Sequence, residues 1–293
     1  MMPFMDWYIY ALIASLLAAT IMQVNRHFKV DGLSLSCTRS FWAFLFLFPT
    51  VFWMHSFPTA SLFYIIAAGC GMLAVLADRV IFNAAAINGA RLATLFQAVK
   101  IILAFFLWLA IDAASRAYLL ENTHIAGGVV LCLAGSIIAL NMLRHNDASW
   151  QALKYVFPAG VYLTLYDIFI KTAIGEDGGY DKAILFALCS FISSFVFALL
   201  LVMWRQYKKE VRFLEGPIII AGAVMGVVFA LVIPFVGLAL AGSPNPAYVS
   251  SILLLSIVWI MAYHKVMRIP DEGSVWAALL FILSAAGIVL LTS

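Results

Sequence analysis

The chain is built from apolar runs about twenty residues long, separated by short polar or Pro/Gly breaks, and some stretches carry no charge at all, as in 41–54 and 274–293. A helix rises about 1.5 Å per residue, so about 20 residues cross the ~30 Å hydrocarbon core of a bilayer. With that ruler the sequence divides into ten segments: 7–24, 36–54, 61–83, 90–111, 124–143, 154–172, 182–204, 217–238, 247–266 and 275–291. Composition points to lipid as the solvent. Hydrophobic residues make up 65% of the 293 and charged residues 11%, against about 45–50% and about 25% in soluble domains. The expected fold is an all-α integral membrane protein of ten transmembrane helices.

Positive charge is modest and scattered. The net charge is +3, and Lys and Arg fall between apolar runs rather than along one basic stripe, which leaves nucleic-acid binding without support. Their distribution reads as topology. With the N-terminus outside, the cytoplasmic loops and adjoining helix ends hold Arg26, Lys29, Arg39, Arg79, Arg91, Arg144, Lys154, Arg205, Lys208, Lys209, Arg212, Lys265 and Arg268. The opposite side holds Arg116, Lys171 and Lys182, and Lys100 is left inside a span. That bias predicts both termini outside a plasma (inner) membrane, because an even number of spans returns the chain to its starting side.

Residues 1–6 have no basic region, and the run opening at Trp7 is long enough to be a retained first helix rather than a cleaved signal. Trp7, Tyr8, Trp53, Tyr118, Trp150, Tyr155, Tyr180, Trp204, Tyr207 and Trp276 stand at segment ends, where a headgroup belt forms. Cys37, Cys70, Cys132 and Cys189 lie far apart without CxxC or Cys/His spacing and read as small core residues, so no metal or cofactor is expected. The longest hydrophilic loop, 205–215, is too small to be a domain. Any site is expected inside the helix bundle.

An internal repeat emerges when the stretch from Asn88 is laid on the one from Asn245. Asn88, Ala90, Leu92, Thr94 and Leu95 then stand opposite Asn245, Ala247, Val249, Ser251 and Ile252 without a gap. The fifth segment lays on the tenth, with Leu131, Ala134 and Gly135 opposite Leu283, Ala286 and Gly287. The first lays on the sixth more loosely, with Arg26 opposite Lys171. Two halves follow, 1–146 and 147–293, each of five spans. An odd number of spans makes the second half enter the membrane in the opposite sense, giving two inverted five-helix repeats, an architecture recurrent among secondary transporters.

Five stretches then carry a resemblance: 36–43 (SCTRSFWA), 83–97, 125–135 (IAGGVVLCLAG), 166–171 (YDIFIK) and 247–256 (AYVSSILLLS). In order and spacing they resemble the drug/metabolite transporter superfamily, in its EamA-like branch of ten-helix carriers. The resemblance implies a substrate cavity lined by the first, third, fourth, sixth, eighth and ninth helices. It also implies cytoplasmic termini, against which the charge count of this chain stands. The sequence departs from the family where Pro is frequent in the fourth and ninth helices: Lys100 and Ile257 occupy those places.

Ionisable groups at a helix centre cost about 2.5–3.5 kcal/mol on insertion scales, so each calls for a partner or a role. Lys100 lies roughly 15 Å deep by residue count. Counted from the turn near Asn88, Asp78 lies ten residues back and Lys100 twelve forward, with Arg79 and Gln97 each nine away. If the third and fourth helices are antiparallel neighbours, all four share a depth. Asp78 is then expected to pair with Lys100, leaving Arg79 to attract an anion. Two roles fit the pair, a substrate or proton-coupling site and a structural lock between helices. Asn83, Asp167 and Tyr263 complete the candidate set. Asp167 and Lys171, four apart with the acid first, read as a surface pair, and Arg39 as an interfacial anchor. His264 reads as interfacial too, Gly222 and Gly226 as a close-packing pair, and Pro234, Pro244 and Pro246 as breaks near the end of the eighth helix.

No HExxH, GxSxG or Walker pattern occurs, so enzyme catalysis has no positive signal. The expected function is secondary active transport, by alternating access through a mid-membrane cavity, of small polar metabolites such as amino acids or organic acids rather than cationic drugs, with export favoured. The expected partners are that solute, protons and membrane lipids, with a monomer sufficing. An exchanger or uptake carrier for organic anions or phosphate-bearing solutes is one alternative. A flippase for lipid-linked intermediates, or a membrane partner subunit, is another.

Overall fold

The computed structural model describes residues 6–28, 30–88, 96–142, 150–175, 178–208, 215–268 and 274–292. Among these the chain forms twelve α-helices, one 3-10 turn and no strand. They are α1 (Trp7–Phe28), α2 (Gly32–Leu47) continued by the turn Phe48–Trp53, α3 (Ser61–Asn88), α4 (Phe96–Ile111), α5 (Ala113–Glu121) and α6 (Thr123–Met142). The second half of the chain holds α7 (Trp150–Ile174), α8 (Tyr180–Tyr207), α9 (Gly216–Gly242), α10 (Pro246–Leu253), α11 (Leu255–Val266) and α12 (Val275–Thr292). Residues 90–95, on which part of the repeat rests, lie outside the described residues.

Seven helical stretches among the described residues are long and apolar enough to cross a membrane: Gly32–Trp53, Ser61–Ala84, Thr123–Met142, Tyr180–Tyr207, Gly216–Gly242, Pro246–Val266 and Val275–Thr292. Three of the ten expected segments depart from a straight apolar span. The apolar part of α1, Trp7–Ile21, is short, and α4 bends into α5 by 100°. In α7, Asp167 and Lys171 lower the apolarity of the helix.

Local chemistry sets several boundaries. Asp31 caps α2 by accepting from the Ser34 amide at 3.0 Å, and also receives Arg205 of α8 at 3.1 Å. At the α4–α5 bend, Asp112 accepts from the Ser115 amide at 3.1 Å and so starts a new helix at once. Asn245 caps α10 through the Ala247 amide at 2.9 Å, with Pro246 in the first turn, where its missing N–H costs nothing. Gly175 ends α7 at φ 69°, a left-handed value that favours glycine. Pro234 lies within α9 rather than ending it.

The helices close into a ring. Each packs on the next in the order α1, α9, α2, α8, α3, α7, α4 and α10, with α10 and α11 returning to α1, while α6 and α12 pair with each other beside it. Close seams use small residues. A Cβ added to Gly226 of α9 would stand 2.6 Å from Trp42 Cβ and 2.8 Å from the Arg39 carbonyl of α2, and one added to Gly222 would meet Thr38. In the α6–α12 pair the approach is reciprocal: a Cβ on Gly135 would lie 2.6 Å from Ser284 Oγ, and one on Gly287 would lie 2.6 Å from Cys132 Sγ.

Apolar side chains also cover the outside. On α8, Ile192, Val196, Leu200 and Met203 form one exposed stripe, a surface that water would not tolerate at this extent but lipid tails would. Of the aromatic residues at segment ends, Trp53, Tyr207 and Trp276 are exposed as a belt requires. Trp7 is buried instead, in the main core beneath Gly242.

Candidate functional site

Among the described residues, two ion pairs sit inside the ring. On α2 the side chains of Ser36 and Arg39 lie one turn apart and both reach Asp78 of α3: the guanidinium at 2.7 Å and the Ser36 hydroxyl, as donor, at 2.9 Å. The Arg39 guanidinium also lies over the Phe229 ring of α9, 3.9 Å from its centroid. Arg39 is 2% exposed and Asp78 8%, so neither charge is left to solvent.

The second pair joins α4 to α7. Lys100 Nζ stands 2.7 Å from Asp167 Oδ2, to which Ser250 of α10 also donates at 3.1 Å. One turn before Asp167, the Thr164 hydroxyl contacts the Gly160 and Lys100 carbonyls at 2.8 and 3.3 Å. Gly160 itself lets α4 come close, since an added Cβ would lie 2.7 Å from Val99 Cβ. One turn before Lys100, Gln97 is half-buried, and its carbonyl oxygen has no hydrogen-bond partner among the described residues.

The expected pairing of Asp78 with Lys100 is therefore corrected: each has another partner. The physical reason is that α3 and α4, though consecutive, both pack on α7, which stands between them in the ring. Arg79 is exposed and points away from the cluster. Arg39, expected at an interface, is buried and takes the place given to Lys100 as the partner of Asp78. Asp167 and Lys171 do not form a surface pair. Both are buried, and Lys171 Nζ donates to the carbonyls of Leu240 at 3.1 Å, Ala241 at 3.4 Å and Ser243. The amine thus caps α9, where the carbonyls of a helix end lack intrahelical donors.

The remaining candidates are apart from the cluster. Asn83 accepts from the Gly32 amide at 3.1 Å and helps cap α2. Tyr263 is 46% exposed. Its neighbour His264, expected at the interface, is buried and meets Gln23 of α1 at 2.8 Å. With Arg79 outside and Arg39 and Asp167 inside, two cations face two carboxylates, so the paired cluster has no spare cation of the kind expected of Arg79. An apolar groove of about 250 Å³ between α3 and α8, lined by Met72, Ile192, Val196, Phe197 and Leu200, carries no charge and is separate from it.

Fold and site together define an all-helical membrane protein with paired charges inside its helix ring. No family model matches the chain, and no curated protein matches it. A solved structure described as "Crystal structure of protein" has a TM-score of 0.66 at 14% identity, covering 98% of this chain and 98% of that one. Identity so low establishes a shared fold and nothing about activity.

Proposed function

We propose that the chain is a secondary active transporter of small polar metabolites, amino or organic acids, working by alternating access between two five-helix halves, 1–146 and 147–293. The observation that carries this reading is the Lys100–Asp167 pair, a costly buried contact that joins helix α4 of one half to α7 of the other.

Ten spans with α4 and α10–α11 as broken members, and an inverted repeat, fit the packing. The contact of α1 with α9 has a counterpart in α7 with α3, and that of α2 with α9 in α8 with α3. The reciprocal approaches of Gly135 and Gly287, residues that the alignment of the two halves sets opposite each other, favour the same repeat. These features, with the five sequence stretches, support an EamA-like member of the drug/metabolite transporter superfamily. Withdrawing Arg39 and Lys171 into the interior leaves Arg116 and Lys182 as the basic residues of the outer side, which still favours both termini outside the plasma membrane.

Counterflow in proteoliposomes tests the reading. Labelled amino or organic acids should exchange into vesicles loaded with the same solute, and Lys100→Ala should abolish that exchange. Transport unaffected by the substitution argues against this site. Lipid scrambling without any solute flux argues for a flippase instead.

A further inference from the structure

The two buried pairs differ in how firmly they are held. Arg39 and Asp78 lie on consecutive helices of one half, and the guanidinium is fixed by the carboxylate on one side and the Phe229 ring on another. Lys100 and Asp167 are held across the two halves, and among the described residues the Lys100 amine is the one cation against Asp167. Relative motion of the halves strains the second pair; in the first it shifts the Phe229 ring, which belongs to the other half, and leaves the Arg39–Asp78 contact itself within one half.

We infer that Lys100–Asp167 is an exchangeable pair that selects how a substrate is coupled to protons. An anion replaces Asp167 on the Lys100 ammonium, and Asp167 then takes up a proton; a zwitterion satisfies both groups and brings none. This rests on the transporter reading above.

The charges balance. The resting pair sums to zero. With a monocarboxylate bound, the site holds a lysine cation, a substrate anion and a neutral aspartic acid, again summing to zero. A bound amino acid adds one charge of each sign beside the two residues, and the sum is unchanged. A buried carboxylate that loses its cation without gaining a proton would stand uncompensated, the arrangement that interiors tolerate least.

Among the described residues, the surroundings of Asp167 contain no second cation to take over. From α3 come Cys70, against the Tyr166 carbonyl at 3.9 Å, and Asp78, held by Arg39. From α10 comes the Ser250 hydroxyl; Tyr248 on that helix and Cys189 on α8 carry no positive charge, and α9 has no ionisable side chain. Lys171, on the same helix, is committed to the end of α9. Gln97 supplies the other half of the recognition. Its unpartnered oxygen, one turn from Lys100, is an acceptor for a substrate ammonium.

The test uses the full chain in liposomes with two probes of one carbon skeleton, pyruvate and alanine, and reads labelled uptake together with internal pH against protein-free vesicles. Pyruvate entry should carry one proton each, and a tenfold proton gradient should sustain about a tenfold pyruvate gradient. Alanine flux should ignore the pH gradient. Asp167→Asn should leave pyruvate flux insensitive to the pH gradient and driven by membrane voltage. Pyruvate flux in the unsubstituted protein that ignores the pH gradient overturns the inference and leaves the transporter reading standing, as does alanine moving with protons, or alanine moving while pyruvate does not. Absence of flux for both probes counts against the transporter reading, and the coupling falls with it.

Discussion

Replacing Arg39 by methionine tests whether the α2–α3 pair is a structural lock. The substitution keeps an unbranched apolar side chain but removes the cation 2.7 Å from Asp78, which is then left, among the described residues, with the Ser36 hydroxyl as its polar contact. Breaking a buried pair by deleting one partner costs about 3–5 kcal/mol, because the other charge stays buried. Loss of the guanidinium over Phe229 adds about 0.5–2 kcal/mol. Removing both charges, Arg39→Met with Asp78→Leu, eliminates the first cost and retains the second. The double variant should therefore be more stable than the single one by about 3–5 kcal/mol. Unfolding in mixed micelles by titration with a denaturing detergent measures the difference. A single variant within about 1 kcal/mol of the parent protein, or a double variant less stable than the single, would refute the lock.

Two further outcomes follow from the packing. Gly226→Ala should destabilise the α2–α9 seam by about 1–3 kcal/mol, since the added Cβ meets backbone that cannot turn aside. Gly69→Ala, with nothing within 4 Å of its added Cβ, should be neutral or slightly stabilising, and thermal unfolding of the two variants side by side checks the contrast. Lys171→Met should cost about 1–3 kcal/mol by taking the amine from the Ala241 and Ser243 carbonyls and leaving that of Leu240 with the Ser243 hydroxyl. Faster hydrogen exchange at the C-terminal turn of α9 is the local signature to measure, and unchanged exchange there would contradict the cap.

The helices were largely legible as apolar runs because length against bilayer thickness is a local property. Each of the ten segments falls on a helix where it is described, and Gly222 and Gly226 do lie at a close seam. The neighbours of each helix were not legible. Asp78 and Lys100 share a depth by residue count, but depth says nothing about azimuth, and α7 intervenes between their helices. Arg39 carried a missed signal: Ser36 and Arg39 occupy one face of a helix three residues apart, which suits a buried acceptor better than a surface anchor. Lys171 was misread because it lies near the end of α7, where a lysine ordinarily reaches water. Here the end of α9 covers that exit.

The seam between α2 and α8 has a mechanical consequence. Arg205 ties the far end of α8 to Asp31 at the start of α2, while Asp181 at the near end accepts from the backbone of His55 and Ser56, at 3.1 and 3.2 Å, just beyond the turn that continues α2. A long rod bolted at both ends makes a good axle and a poor door. In the ring, the seam diametrically across from it is α4 against α10, the one that carries Lys100 and Ser250. If the halves turn about the axle, that opposite seam travels farthest for a given angle. Lys100 then sits at the end of the longest lever arm, and its 2.7 Å contact with Asp167, across the adjoining α4–α7 seam, is among those that a small rotation would stretch most.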